Sequence, residues 1–193
     1  MIIGITGNSG TGKTEITRIL AKKINAEIID ADKIVREMTE KDTEYLRKII
    51  EFFGKEILIK QNKLNRKKLA QIIYNNNQKR EELNKLTSKY IGEKIKEKTK
   101  ISKCENIIID APLLFECELD KICDINISII AEENIKIERI CKRDNITKEE
   151  AKLRLNVQKQ DKYYIEKSNY IIKNNGKIEE INLEEICTII GMN

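Results

Sequence analysis

The chain has 193 residues, with 37 Lys and Arg against 32 Asp and Glu and no histidine. The missing histidine excludes an imidazole base, nucleophile activator or metal ligand, so any chemistry falls to carboxylates, lysines and arginines. Hydrophobic residues make up 40% and charged residues 36%, with no apolar run near the roughly 18 residues that a membrane span needs; this describes a soluble, single-domain α/β-sized chain with an Ile- and Leu-rich core.

The chain opens on "MIIGIT", an apolar run of strand character, and passes directly into Gly7-Asn8-Ser9-Gly10-Thr11-Gly12-Lys13-Thr14. That octapeptide satisfies G-x-x-x-x-G-K-[ST], in which backbone N–H groups wrap phosphate oxygens, the lysine adds a point charge and the Thr14 hydroxyl is placed for Mg²⁺. "KTEITRILAKKI" follows as an amphipathic helix with Ile16, Ile19, Leu20 and Ile24 on one face, so a bound phosphate would sit at a helix N-terminus.

Further strand-like runs recur at 26–29, 107–109, 125–130 and 170–172, separated by helical stretches. Alternating strand and helix predicts a parallel sheet with helices on both faces. Residues 33–105 are too many for a simple crossover and are expected to form an inserted helical subdomain, and 139–168 a second, charged helical insertion. Thr147-x-x-Glu150 is a capping box that opens a helix there.

Ligands of open α/β sheets bind at the carboxyl ends of the strands. Three places qualify. "IIDADK" presents Asp30 and Asp32, one of which can cap the helix beginning near Lys33 while the other accepts a proton or holds Mg²⁺ through water. "IIIDAPLLFE" ends in Asp110, as a Walker-B strand would, followed by the wall Pro112, Leu113, Leu114, Phe115 and Glu116. "ERICKRD" places Arg139 and Arg143 at i, i+4, able to cover phosphates, with solvent-exposed pairing to Glu138 or Asp144 as the alternative. Arg154 and Gln158 repeat the spacing.

Taken together, the P-loop, "DAD", "LNRKKLAQIIYNNNQKREELN", "APLLFE", "ICKRD", "RLNVQ" and "SNYIIKNNG" resemble the dephospho-CoA kinase family in order and spacing over nearly the whole chain. The resemblance implies a three-layer P-loop kinase fold with a five-stranded parallel sheet, a helical substrate-binding insertion and a helical lid. It also implies transfer of the ATP γ-phosphate to the ribose 3′-hydroxyl of dephospho-CoA. On this reading Lys13, Asp32 and Arg143 are catalytic, Asp32 as general base and Arg143 as lid arginine. ATP would meet Asn8, Ser9, Gly10, Thr11, Gly12, Lys13, Thr14, Glu15, Arg139, Asn174, Asn175 and Gly176. The acceptor would meet Thr6, Asp32, Leu113, Leu114, Phe115, Glu116, Arg154 and Gln158. Mg²⁺ would lie on Thr14, with Asp32 or Asp110 reached through water.

The chain departs from that pattern at Ser88-Lys89, where the family usually has His-Pro, and at Arg36, where a histidine is common. A regulatory GTPase would need N-K-x-D, and both N-K pairs continue without the aspartate, as Asn62-Lys63-Leu64-Asn65 and Asn84-Lys85-Leu86-Thr87. A kinase of another small molecule and a non-catalytic nucleotide-binding module are the remaining alternatives. Five cysteines, an odd set without C-x-x-C, suit reduced thiols. No leader pattern precedes the first strand and charges of both signs are interleaved, so the expectation is a cytoplasmic monomer without nucleic-acid or membrane partners.

Overall fold

In a computed structural model, residues 1–40, 43–59, 63–176, 181 and 183–189 are described. Five strands form one parallel sheet in the order β2-β5-β1-β6-β7: β1 (Ile2–Thr6), β2 (Ala26–Asp30), β5 (Asn106–Asp110), β6 (Ile125–Ile130) and β7 (Tyr170–Lys173). Each coincides with one of the apolar runs. Side chains alternate along a strand, and the core is sorted accordingly. Ile3, Ile5, Ile108, Ile127 and Ile129 pack on one face against α1 (Lys13–Lys23) and α9 (Leu183–Ile189). Ile29, Ile107 and Ile109 pack on the other face against the helices inserted between β2 and β5.

The sheet is therefore covered on both faces, which is what near-continuous Ile runs require. In α1, Ile16 and Leu20 are fully buried, and the C-cap Ile24 nearly so, while Ile19 departs from expectation and opens outward.

The insertion comprises α2 (Ala31–Met38), α3 (Glu44–Phe53), a two-stranded hairpin of β3 (Leu58–Ile59) and β4 (Lys63–Leu64), α4 (Arg66–Tyr74) and α5 (Asn77–Ile101). The hairpin was not expected from the sequence. Asp30 caps α2: its carboxylate accepts the Lys33 N–H at 3.0 Å. Asn65 and Asn76 cap α4 and α5 in the same way. Ser88 and Lys89 lie inside α5, which runs 25 residues without a break. A proline at 89 would remove a backbone donor and clash with the preceding turn; with lysine there, α5 runs on unbroken.

Beyond β6, the charged stretch forms three helices, α6 (Glu133–Asp144), α7 (Lys148–Asn156) and α8 (Asp161–Lys167). Asn145, with φ 52°, ends α6, and the Thr147–Glu150 capping box opens α7.

The long α5 is anchored by its apolar face. Ile95 has no exposed surface, whereas Ile101 in the last turn is 72% exposed. Ile95→Ala should cost about 2–5 kcal/mol, while Ile101→Ala should stay within about 0.5 kcal/mol. Denaturant unfolding of the two variants reads the difference.

Candidate active site

Parallel strands bring the carboxyl ends of β1, β2 and β5 to one edge. In register Asp30 lies beside Asp110, and Asp110 beside Ile5. The P-loop leaves β1 at this edge and enters α1. Its glycines are dictated by geometry. Gly10 and Gly12 adopt φ of 81° and 82°, a region that costs other residues. A Cβ on Gly10 would stand 2.5 Å from the Lys136 carbonyl oxygen, and one on Gly12 would stand 2.3 Å from Asn174 Nδ2. The loop is thus held against α6 and the end of β7 by close approach.

Polar groups complete that hold. Asn174 is buried; its Nδ2 donates to the Thr11 carbonyl at 2.7 Å, and its Oδ1 accepts from Arg139. Arg139 also donates to the carbonyls of Gly10, Asn174 and Gly176. On the other flank, Gln158 Oε1 accepts the Ser9 N–H at 3.1 Å and Gln158 Nε2 donates to Ser9 Oγ at 3.0 Å. Asn8 Nδ2 donates to the Lys159 carbonyl, and Asn8 Oδ1 accepts from the Tyr164 hydroxyl. Segment 158–164 is therefore bonded directly to the P-loop.

A cleft of about 1940 Å³ opens over this edge, bounded by the P-loop, α1, the cleft-facing side of α5, the segment after β5, and α6 to α8. Its lining carries ten Lys and Arg against six Asp and Glu, a surplus that favours polyanionic ligands. Of the predicted residues, Asn8, Ser9, Gly10, Gly12, Lys13, Thr14, Glu15, Asp32, Leu113, Glu116, Arg139, Arg143 and Gln158 line it.

The remaining predicted residues stand outside this lining. Thr6 is buried and donates its hydroxyl to the Pro112 carbonyl at 3.1 Å. Leu114 and Phe115 face the core of the insertion. Thr11 is buried, its hydroxyl given to the Asn8 carbonyl. Asn174 is committed to Thr11 and Arg139, Asn175 bonds to Glu132, and the Gly176 carbonyl accepts from Arg139. Arg154 donates to Asp144 Oδ2 at 2.5 Å.

Lys13 forms an ion pair with Asp110, and both side chains are nearly buried. A cation so placed requires an anionic partner, and the pairing, 97 residues apart in sequence, was not readable from the motif. Asp32, in the first turn of α2, opens to the cleft. Crowding by the protein strips water from its carboxyl and pushes it above the usual carboxylate range; Lys13 opposes the shift, and Asp30 and Asp110 reinforce it. Arg143, at the end of α6, has a side chain 60% exposed and forks onto Asp144 at 2.8 and 2.9 Å. The pairing weighed as the alternative for Arg143 is therefore present, on a side chain that still reaches the cleft.

No group of three or more Cys, Asp or Glu among the described residues is arranged to hold a metal by itself. Thr14, exposed at the cleft, with Asp32 and Asp110 nearby, nevertheless fits Mg²⁺, which takes few protein ligands and completes its octahedron with phosphate and water.

A dephospho-CoA kinase family model matches residues 1–180. The chain belongs to the dephospho-CoA kinase family. A Fusobacterium nucleatum dephospho-CoA kinase is 35% identical over 192 residues, covering 98% of each chain. Among solved structures, a Campylobacter jejuni dephospho-CoA kinase superposes with a TM-score of 0.67 at 27% identity, covering 98% of this chain and 95% of that one. A Thermus thermophilus protein reaches a TM-score of 0.79 at 21% identity, covering 98% and 97%, and shares the fold. The chain is thus a P-loop kinase of α/β fold.

The two aspartates of "DAD" should separate experimentally. Asp30→Ala removes a cap and should cost about 1 kcal/mol, with kcat retained once the protein is folded. Because the raised Asp32 pKa favours protonation in the folded state, its ionised carboxylate opposes folding at neutral pH and is relieved on acidification. Asp32→Asn should therefore melt slightly higher than the parent at pH 7, with the gain vanishing as pH falls through the raised pKa. A thermal-melt series from pH 7 to pH 4 tests the sign.

Proposed function

We propose that this chain transfers the γ-phosphate of ATP to the ribose 3′-hydroxyl of dephospho-CoA, giving coenzyme A and ADP, as a cytoplasmic monomer. The observation that carries the reading is the meeting of Lys13 and the Asp32 carboxylate, its pKa raised by burial, in one basic cleft, in a chain of this family. A phosphate-gripping cation and a carboxylate poised to take a proton are the two elements that phosphoryl transfer to an alcohol requires.

The residues act in a definite order. ATP phosphates replace Asp110 as the partner of Lys13, while the P-loop amides and the α1 N-terminus receive the remaining oxygens. Mg²⁺ would be held by Thr14 with the phosphates, and by Asp110 through water; when bound it supplies charge neutralisation of the transferring group. Asp32 takes the proton of the 3′-hydroxyl as that oxygen forms its bond to the γ-phosphorus and the bond to the ADP oxygen breaks. Arg143 leaves Asp144 to meet the charge spread over the equatorial oxygens. Asn8 and Ser9, bonded to segment 158–164, keep that segment seated on the loop and water out.

A screen of hydroxyl acceptors with ATP and Mg²⁺ should place dephospho-CoA first in kcat/KM, and preference for another alcohol would sink the assignment. The pH profile of kcat/KM should show an acid limb above the ordinary carboxylate value of about 4. Asp32→Asn should lower kcat by about 10²- to 10⁴-fold with acceptor affinity, read by calorimetry, little changed.

Lys13→Ala should cripple transfer while the protein still melts cooperatively, and near-parental turnover would contradict the role given to the loop. Arg143→Ala should lower kcat by about 10³- to 10⁵-fold; a raised KM at unchanged kcat would make Arg143 a binding residue only.

A further inference from the structure

The cleft continues past the P-loop along α5, where Arg80, Asn84, Ser88, Gly92 and Lys96 face it at helical spacing. At a rise of about 1.5 Å per residue, that stripe is about 24 Å long, more than a nucleoside occupies. Most of its charges are ordinary solvated ends. Lys85, for example, has a side chain 73% exposed and pairs with Glu82.

Arg80 differs. Its Nη1 is buried without a hydrogen-bond partner among the described residues, although the guanidinium is permanently charged and its N–H groups require acceptors. Buried polar groups in native proteins are satisfied, and an exception calls for an explanation. Neighbouring acids do not supply one: Glu81, next to it in the helix, lines the same cleft, yet no ion pair to Arg80 exists among the described residues.

A second observation points the same way. Arg80 lies in the opening turns of a 25-residue helix whose first turn holds no acidic residue. The acids Glu81 and Glu82 come only in the following turn, so the partial positive charge of that helix end adds to the guanidinium's field. A planar fork of donors beside a positive helix end suits a phosphate oxygen better than any neutral group.

The acceptor proposed above carries such an anion, because a diphosphate joins its adenosine to its pantetheine chain. We propose that Arg80 binds the acceptor's diphosphate and thereby makes the enzyme select a diphosphate-bearing acceptor over a bare nucleoside. The inference rests on the acceptor assignment and deepens it. Asp32 and the P-loop act on the hydroxyl and the donor, whereas Arg80 acts on a part of the acceptor remote from the reacting atoms. Its contribution belongs to acceptor recognition and not to the transfer step.

The test compares two acceptors, dephospho-CoA and adenosine, at saturating ATP and Mg²⁺ in the parent, Arg80→Met and Arg80→Lys. Methionine keeps the apolar stem and removes charge and donors; lysine keeps the charge without the fork. Arg80→Met should lower kcat/KM for dephospho-CoA about 10- to 100-fold, chiefly through KM, as expected for loss of a charge-assisted hydrogen bond. With adenosine it should stay within about threefold, a change worth no more than a weak hydrogen bond. Arg80→Lys should fall between, and the KM for ATP should not move.

An equal loss on both acceptors would mean that Arg80 acts through the fold or the nucleoside, overturning the proposal, as would no loss on either. The parental rates separate this from the broader reading. If the parent phosphorylates another alcohol and not dephospho-CoA, the acceptor assignment fails and the role of Arg80 fails with it. If the parent prefers dephospho-CoA and Arg80→Met retains the full preference, only the role of Arg80 is lost.

Discussion

Asn174 is a neutral side chain sealed from water, and the geometry of the nucleotide loop depends on it. Its amide hydrogen reaches the Thr11 carbonyl and its oxygen accepts from Arg139, which in turn gathers the Gly10 and Gly176 carbonyls. Those carbonyls would otherwise be poorly satisfied in a tight turn, and an unpaired buried amide is costly. Because Gly12 leaves no room for a side chain against Asn174, the loop, the end of β7 and α6 meet at a single contact. A phosphate cradle needs donors fixed before the ligand arrives, and this contact, remote from the motif in sequence, is what fixes them.

The ion pair between Lys13 and Asp110 plays a complementary part. Without nucleotide, the lysine would be an uncompensated charge at the head of α1, where the helix end is already positive. Asp110 neutralises it and holds it over the strand ends. On the proposed function, ligand phosphates would compete for that lysine against an existing partner, so net affinity would be smaller than the contacts alone suggest.

Much of the fold was legible because its signals are local. Five Ile-rich runs gave five strands, the spacing of Gly7, Gly12 and Lys13 gave the loop, and Asp30 and Thr147 are caps whose partners lie three residues away. The parts that were not legible depend on distant contacts. Arg139 and Asn174 are expected at ATP from the sequence, but that they also bond to each other and to the carbonyls of Gly10, Thr11, Asn174 and Gly176 is not visible there. Thr6, Leu114 and Phe115 sit at strand ends or in a motif, but strand alternation and the packing of the following turn send them inward. No local pattern announces the β3–β4 hairpin, and Arg80 was one basic residue among many until its burial was known.

The unbroken course of α5 has a mechanical consequence. Twenty-five residues at about 1.5 Å each make a rod of about 37 Å, which lines the cleft from Arg80 to Lys96 and leads at its end through a short connection into β5. A helix interrupted in its middle would bend there and absorb a push on its first turns. A continuous one is held as a single piece where Ile91 and Ile95 enter the core, so the stripe from Arg80 to Lys96 presents one unbroken wall to the cleft.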